Sequence, residues 1–140
     1  MLLDTHYLIL DKFHIGDTKT YQKMVSEADV AAFESGKVHP VYATFALARD
    51  AEWACRLFVL EMKEADEEGI GTFVQVEHVS PALVGQTVTF VTTIKELKGN
   101  SIVCTYTASV GARLIAQGEQ GQKILKKERL QQLFGSLKDE

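Results

Sequence analysis

The chain has 140 residues, 46% of them hydrophobic and 24% charged, which bounds it to one domain, residues 1–140, with a single core. Its 15 basic against 19 acidic residues leave a net charge of −4, so the broad basic stripe that nucleic-acid binding needs is missing. The opening carries Asp4 and Asp11 but no basic segment, and no apolar run approaches the roughly 20 residues of a membrane span. A cytoplasmic location, with neither a nucleic-acid nor a membrane partner, is the expectation.

In chain order, residues 6–14 and 19–25 each read as a short strand, with Gly16-Asp17 as the turn between them. Ser26 then stands as the N-cap of a short helix with an acidic first turn, and Gly36 and Pro40 end it. From residue 42 to about residue 64 the pattern is again helical and apolar over most of its circumference. Within it Glu52 is set among Ala51, Trp53, Ala54 and Cys55. A carboxylate in such surroundings is costly to desolvate unless it is paired or protonated, a situation that catalytic sites exploit. The structural alternative is an ion pair with Arg49 or Arg56, one turn away.

After Glu67-Glu68-Gly69 the period changes from helical to alternating. Residues 72–79 read as one strand, with His78 on the face of Val74 and Val76 and therefore turned toward the helix. Residues 86–97 form the next strand, with Val88, Phe90 and Ile94 on one face. Lys98-Gly99-Asn100 is a hairpin turn, residues 101–110 return, Gly111 turns the chain again, and a last strand runs from residue 113 to about 125. Leu130, Leu133, Phe134 and Leu137 have the spacing of a short amphipathic helix. The order predicts an α+β domain with its helices on one face of an antiparallel sheet. So apolar a helix under a single sheet needs a second copy of the chain to cover it.

Cys55 and Cys104 lack CxxC spacing and fall in core elements, which reads as reduced and structural. The four histidines and two cysteines lack the spacing of a zinc site. Gly69-Ile70-Gly71 is too short to cradle a phosphate and opens no helix. No metal is therefore expected.

Four segments, Val41-Tyr42-Ala43-Thr44, Glu52-Trp53-Ala54-Cys55, Gly69-Ile70-Gly71-Thr72 and Glu77-His78, resemble in order and spacing the hotdog-fold thioesterases. Among these they most resemble the fluoroacetyl-CoA thioesterase group, over residues from about 21 to 134. The resemblance implies a hotdog fold, an antiparallel β-sheet wrapped around a long central α-helix. It implies hydrolysis of small acyl-CoA thioesters without a metal or separate cofactor, coenzyme A being part of the substrate. It also implies a homodimer with active sites between protomers, with a dimer of dimers as the larger alternative. Thr44, Glu52 and His78 match the family's catalytic threonine, glutamate and histidine, and Gly71 matches a glycine lining the substrate pocket. Two departures stand out. Where the member known for fluoroacetyl-CoA has an arginine late in the last strand, this chain has Gln122 or its neighbours. The aromatic lid segment has no counterpart in Gly36-Lys37-Val38-His39-Pro40. What carries over is the hydrolytic core, without the fluoroacetyl selectivity.

Thioester hydrolysis needs an activated nucleophile, donors for the developing oxyanion and an exit for the thiolate. Glu52 can act as base on water or attack directly. His78 can orient or protonate groups at the thioester, or be a satisfied core histidine. Thr44 can cap the helix whose amides bind an anionic oxygen, and its hydroxyl can also contact the thioester. Eight residues separate Thr44 from Glu52, roughly 12 Å of helical rise. One helix therefore cannot readily bring both to one carbonyl carbon, whereas two helices across a dimer axis can. His39 and Tyr42 flank the helix entrance as candidate substrate-binding residues, with a plain structural turn at Pro40 as the alternative. Lys37, Lys95, Lys98, Arg113 and Lys123 are candidates for the coenzyme's phosphates by charge alone. The rival readings are a dehydratase or hydratase of the same fold and a non-catalytic acyl-CoA-binding module. The latter has little reason to bury Glu52 beside an acyl chain.

Overall fold

A computed structural model describes residues 12–140. The strand expected over residues 6–14 falls on residues 6–11 outside them, while residues 12–14 are turn and loop. Eight strands and two helices follow: β1 (Thr18–Met24), β2 (Val30–Phe33), β3 (Gly36–Tyr42), α1 (Thr44–Met62), β4 (Glu67–Val74), β5 (Glu77–His78), β6 (Thr87–Lys98), β7 (Ser101–Val110), β8 (Arg113–Lys126) and α2 (Lys127–Leu137). The main sheet is antiparallel in the order β1-β6-β7-β8-β4, with β5 also on β8, and β2 and β3 form a separate hairpin. It curls around α1, the hotdog architecture that the sequence predicts.

Every second residue of the long strands faces α1. Val88, Phe90, Ile94, Ile102, Cys104 and Tyr106 are all at most 3% exposed. They pack on Ala46, Leu47, Ala51, Ala54, Cys55, Phe58 and Val59, spaced at three and four along one helix face. The two-residue turns Gly99-Asn100 and Gly111-Ala112 join β6 to β7 and β7 to β8, both glycines having positive φ. On the other side of α1, Phe45, Trp53 and Leu60 are 53%, 41% and 41% exposed. A single chain therefore leaves the apolar circumference of the helix half uncovered.

Two elements depart from expectation. The helix expected after Ser26 is a single turn, Glu27–Asp29, followed by the β2-β3 hairpin. Asp29 is the reason. Its Oδ2 accepts from both the backbone N–H and the hydroxyl of Ser26 at 2.9 Å, closing the turn on itself. Its Oδ1 accepts from Arg49 at 2.7 Å, which fixes the turn against α1. The strand expected over residues 72–79 starts earlier, at Glu67, and is broken after Val74. Glu67 fills an inward strand position, 2% exposed, because its carboxylate accepts the Glu64 N–H at 2.9 Å. At the break the Gln75 carbonyl accepts the Tyr106 hydroxyl at 2.7 Å and lies where a Cβ on Gly118 would be, at 1.9 Å. Tertiary contacts override the local pattern in both places.

Candidate active site

The N-cap of α1 is Ala43, whose own N–H is held by the Asp29 carbonyl at 2.8 Å, and no side chain among the described residues caps the helix. Its first turn therefore presents backbone N–H groups and the positive end of the helix dipole without a side-chain partner. Thr44 is the first helical residue, one position too late to be the cap. The expectation that its hydroxyl caps the helix is corrected: Oγ1 lies 2.9 Å from His78 Nδ1. His78 reaches it from β5, where it pairs with Ala116 of β8. Because the strand breaks before β5, His78 does not share a face with Val74, which is 41% exposed. His78 Nε2 is buried without a hydrogen-bond partner among the described residues. Burial holds the imidazole below its ordinary range, opposed in part by the Ser80 backbone, so the ring is neutral at pH 7.

Glu52 lies in the middle of α1 and is partly buried. Neither arginine considered for it is its partner. Arg49 binds Asp29 and Asp50, and Arg56 binds Glu68 and the Gly69 carbonyl. Glu52 Oε1 instead accepts from Gln120 Nε2 at 3.1 Å. The backbone of Gly71 comes so close to the carboxylate that a Cβ there would sit 2.2 Å from Oε1. Gly71 also pairs with Gln122 of β8 just before a register shift in β4. The glycine thus admits the Glu52 carboxylate to the sheet edge.

Tyr42 is 1% exposed and donates its hydroxyl to Asp50 Oδ2 at 2.5 Å; burial first, and Asp50 second, push its ionisation well up. It is a core residue. His39 stands exposed in β3, paired with Ala31 of β2. Among the basic candidates, Lys37 pairs with Glu27, Lys95 with Glu119, and Arg113 with Ser80 and the Pro81 carbonyl. Lys98 and Lys123 form no ion pair among the described residues and are exposed. Cys55 and Cys104 are buried and reduced, the hydrogen bond between them and burial both pushing the Cys55 thiol up. The described residues hold no cluster of ligands for a metal ion, and no helix among them is long and apolar enough to cross a membrane.

The chain therefore brings Thr44 to His78 and Glu52 to Gly71, as two clusters near the start and the middle of one helix. Among the described residues no hydrogen bond joins them. Sequence reasoning missed Gln120 and met Gln122 only as the residue standing in place of a relative's arginine; the two are 1% and 2% exposed. The signal was their parity, since they alternate in step with the buried Ile124 on one strand face.

A family model described as fluoroacetyl-CoA-specific thioesterase matches residues 25–128. Among solved structures, a hypothetical protein of Thermus thermophilus, described as a thioesterase superfamily member, is 34% identical, with a TM-score of 0.85 over 90% of this chain and 93% of its own. The fluoroacetyl-CoA thioesterase FlK is 20% identical, with a TM-score of 0.83 over 89% and 97% of the two chains. Variants of FlK are solved with fluoroacetate and coenzyme A and with acetyl-CoA. A hot-dog-like protein from Thermanaerovibrio acidaminovorans is 19% identical, with a TM-score of 0.81 over 91% and 95%. No curated protein sequence matches the chain.

Proposed function

The chain belongs to the fluoroacetyl-CoA-specific thioesterase family of the hotdog fold, and from that premise we propose that it hydrolyses a small acyl-CoA thioester to the free acid and coenzyme A. The observation that carries this reading is the Thr44–His78 contact of 2.9 Å at the uncapped start of α1. A neutral imidazole, a hydroxyl and free helix amides at one point suit a thioester carbonyl whose oxygen gains negative charge. Glu52 supplies the base: it takes a proton from water as the water oxygen bonds to the acyl carbon, or its carboxylate attacks that carbon directly. Collapse of the tetrahedral intermediate then breaks the C–S bond and releases the coenzyme A thiolate. Where water attacked, the free acid is left; where Glu52 attacked, an acyl–Glu52 anhydride is left, which water hydrolyses to the free acid and the carboxylate. His78 orients or protonates groups at the thioester, and Gly71 keeps the carboxylate's path open.

The site is completed in a homodimer. Thr44 and Glu52 are separated by roughly 12 Å of helical rise, and antiparallel packing of two α1 helices brings the start of one beside the middle of the other. The exposed apolar residues support this: Phe45, Trp53 and Leu60 on α1, and Phe73 and Val74 on the edge strand β4. So large an uncovered apolar surface marks an interface. A dimer of dimers is the larger alternative. The acyl group is small and unselected, since Gln122 stands late in β8 and the β2-β3 hairpin takes the place of a lid. Short acyl-CoA esters, acetyl and fluoroacetyl among them, should release free thiol at comparable kcat/KM. His78→Ala and Thr44→Ala should each lower kcat. Binding of the panel without thiol release would replace this reading with the acyl-CoA-binding module. Full activity of a monomer in light scattering at low concentration would remove the composite site.

A further inference from the structure

We propose that Gln120 is the positioning residue of Glu52, and that Gln122 acts behind it, the two forming a directed chain of amides that aims the carboxylate. The inference rests on the reading of Glu52 as the base and adds residues which that reading does not contain.

The direction of the chain follows from its fixed end. The Gly121 carbonyl can only accept, and it lies 2.9 Å from Gln120 Nε2. The NH2 group of Gln120 must therefore face that carbonyl, and its second hydrogen points at Glu52 Oε1, 3.1 Å away. Gln120 Oε1 is left on the far side, where it accepts from Gln122 Nε2 at 2.9 Å. Each hydrogen bond leaves the next group only one orientation. The backbone of β8 thus sets the direction in which a donor meets the Glu52 carboxylate.

Chemistry separates this arrangement from simple packing. Two glutamine amides at most 2% exposed are expensive to bury, and the adjacent inward position of the same strand holds Ile124. A filler would be apolar. A neutral amide is also the right kind of partner for a base. Asp29, bound by the Arg49 guanidinium, is held to about 2 even though burial pushes the other way, and so weak a base would accept no proton at neutral pH. An amide orients the carboxylate without placing a full positive charge on it. The carboxylate lies against the Gly71 backbone, in the space a Cβ there would fill, and the Gln120 hydrogen bond holds the same oxygen, Oε1, in that position.

Gln120→Met keeps an unbranched chain of similar length and removes the donor, and Gln122→Met removes the support behind it. Gln120→Met should lower kcat by about tenfold or more, the scale of one hydrogen bond to a charged group, with KM within about twofold. Gln122→Met should cause a smaller loss of the same kind. Placed on Glu52→Gln, Gln120→Met should cost nothing further, because both act through one carboxylate. An equal loss in the two backgrounds would overturn the proposal. So would Gln120→Met at the native rate beside an inactive Glu52→Gln, a result that leaves Glu52 as the base. Should Glu52→Gln itself keep the native rate, the catalytic reading fails, and a crystal structure of Gln120→Met still decides the positioning claim. Displacement of the carboxylate from beside Gly71 supports it, and an unmoved carboxylate overturns it.

Discussion

Asp50 and Glu52 are two residues apart on the same helix, and the chain treats them in opposite ways. Asp50 is 5% exposed and receives three donors: the Tyr42 hydroxyl at 2.5 Å, Arg49 Nε at 3.0 Å and an Arg49 terminal nitrogen at 3.1 Å. Glu52 receives one neutral amide on Oε1, and among the described residues no donor reaches Oε2. A carboxylate saturated by a cation and a phenol is a structural tie. One held by a single amide, with a glycine cleared from its path, keeps lone pairs for a reacting proton. Neighbours on a helix thus divide the labour of stability and chemistry by what surrounds them, not by residue type.

The most severe way to break this contrast is at the saturated carboxylate. Asp50→Ala strands the buried Tyr42 hydroxyl and one side of Arg49, and should destabilise the fold by about 3 kcal/mol. Urea unfolding measures this, and kcat per folded molecule should stay near native. A clean loss of kcat with unchanged stability would reverse the assignment of the two acids. Gly71→Ala comes next. The atom that must give way is the Glu52 carboxylate, the free end of a flexible side chain. The melting temperature should hardly move while kcat falls by about tenfold, as expected for a misplaced catalytic group. Tyr42→Phe removes only one of the donors to Asp50, and should cost about 1 kcal/mol of stability with no kinetic effect.

Acid separates the two functions as well. The Asp29 carboxyl is held to about 2, below its ordinary 3.8, so the unfolded chain binds its proton first as pH falls. The stability it contributes is complete above pH 3.8 and is lost as pH drops from there toward 2. Asp29→Asn should flatten that part of the stability profile. Catalysis should respond at milder acidity. His78 is held below the ordinary imidazole range, so kcat/KM should be level near neutrality and decline only below about pH 6.5. A decline already half complete at that pH would mean that the imidazole ionises as freely as one in water.

Legibility followed the range of the interactions. Helix α1 and the β6-β7-β8 meander were readable because their burial repeats at helical or alternating period and their turns carry glycine. The single turn before the β2-β3 hairpin was not, because Asp29 closes it on Ser26 and is tied to Arg49, twenty residues away. Thr44, Glu52, Gly71 and His78 stood out by pattern and resemblance. The structure then added what spacing cannot supply: that Thr44 serves His78 and not the helix end, and that Glu52 answers to an amide. Gln120 is 68 residues from Glu52. Two glutamines in a strand read as surface until their parity is compared with Ile124.

The most direct test of Glu52 as the base is Glu52→Gln, assayed for thiol release from short acyl-CoA esters and melted beside the native protein. The amide is nearly isosteric and cannot take a proton from water or attack an acyl carbon. The prediction is a loss of kcat of about a hundredfold or more at an unchanged melting temperature. Hydrolysis at the native rate would contradict it, and with it the thioesterase mechanism built on this residue.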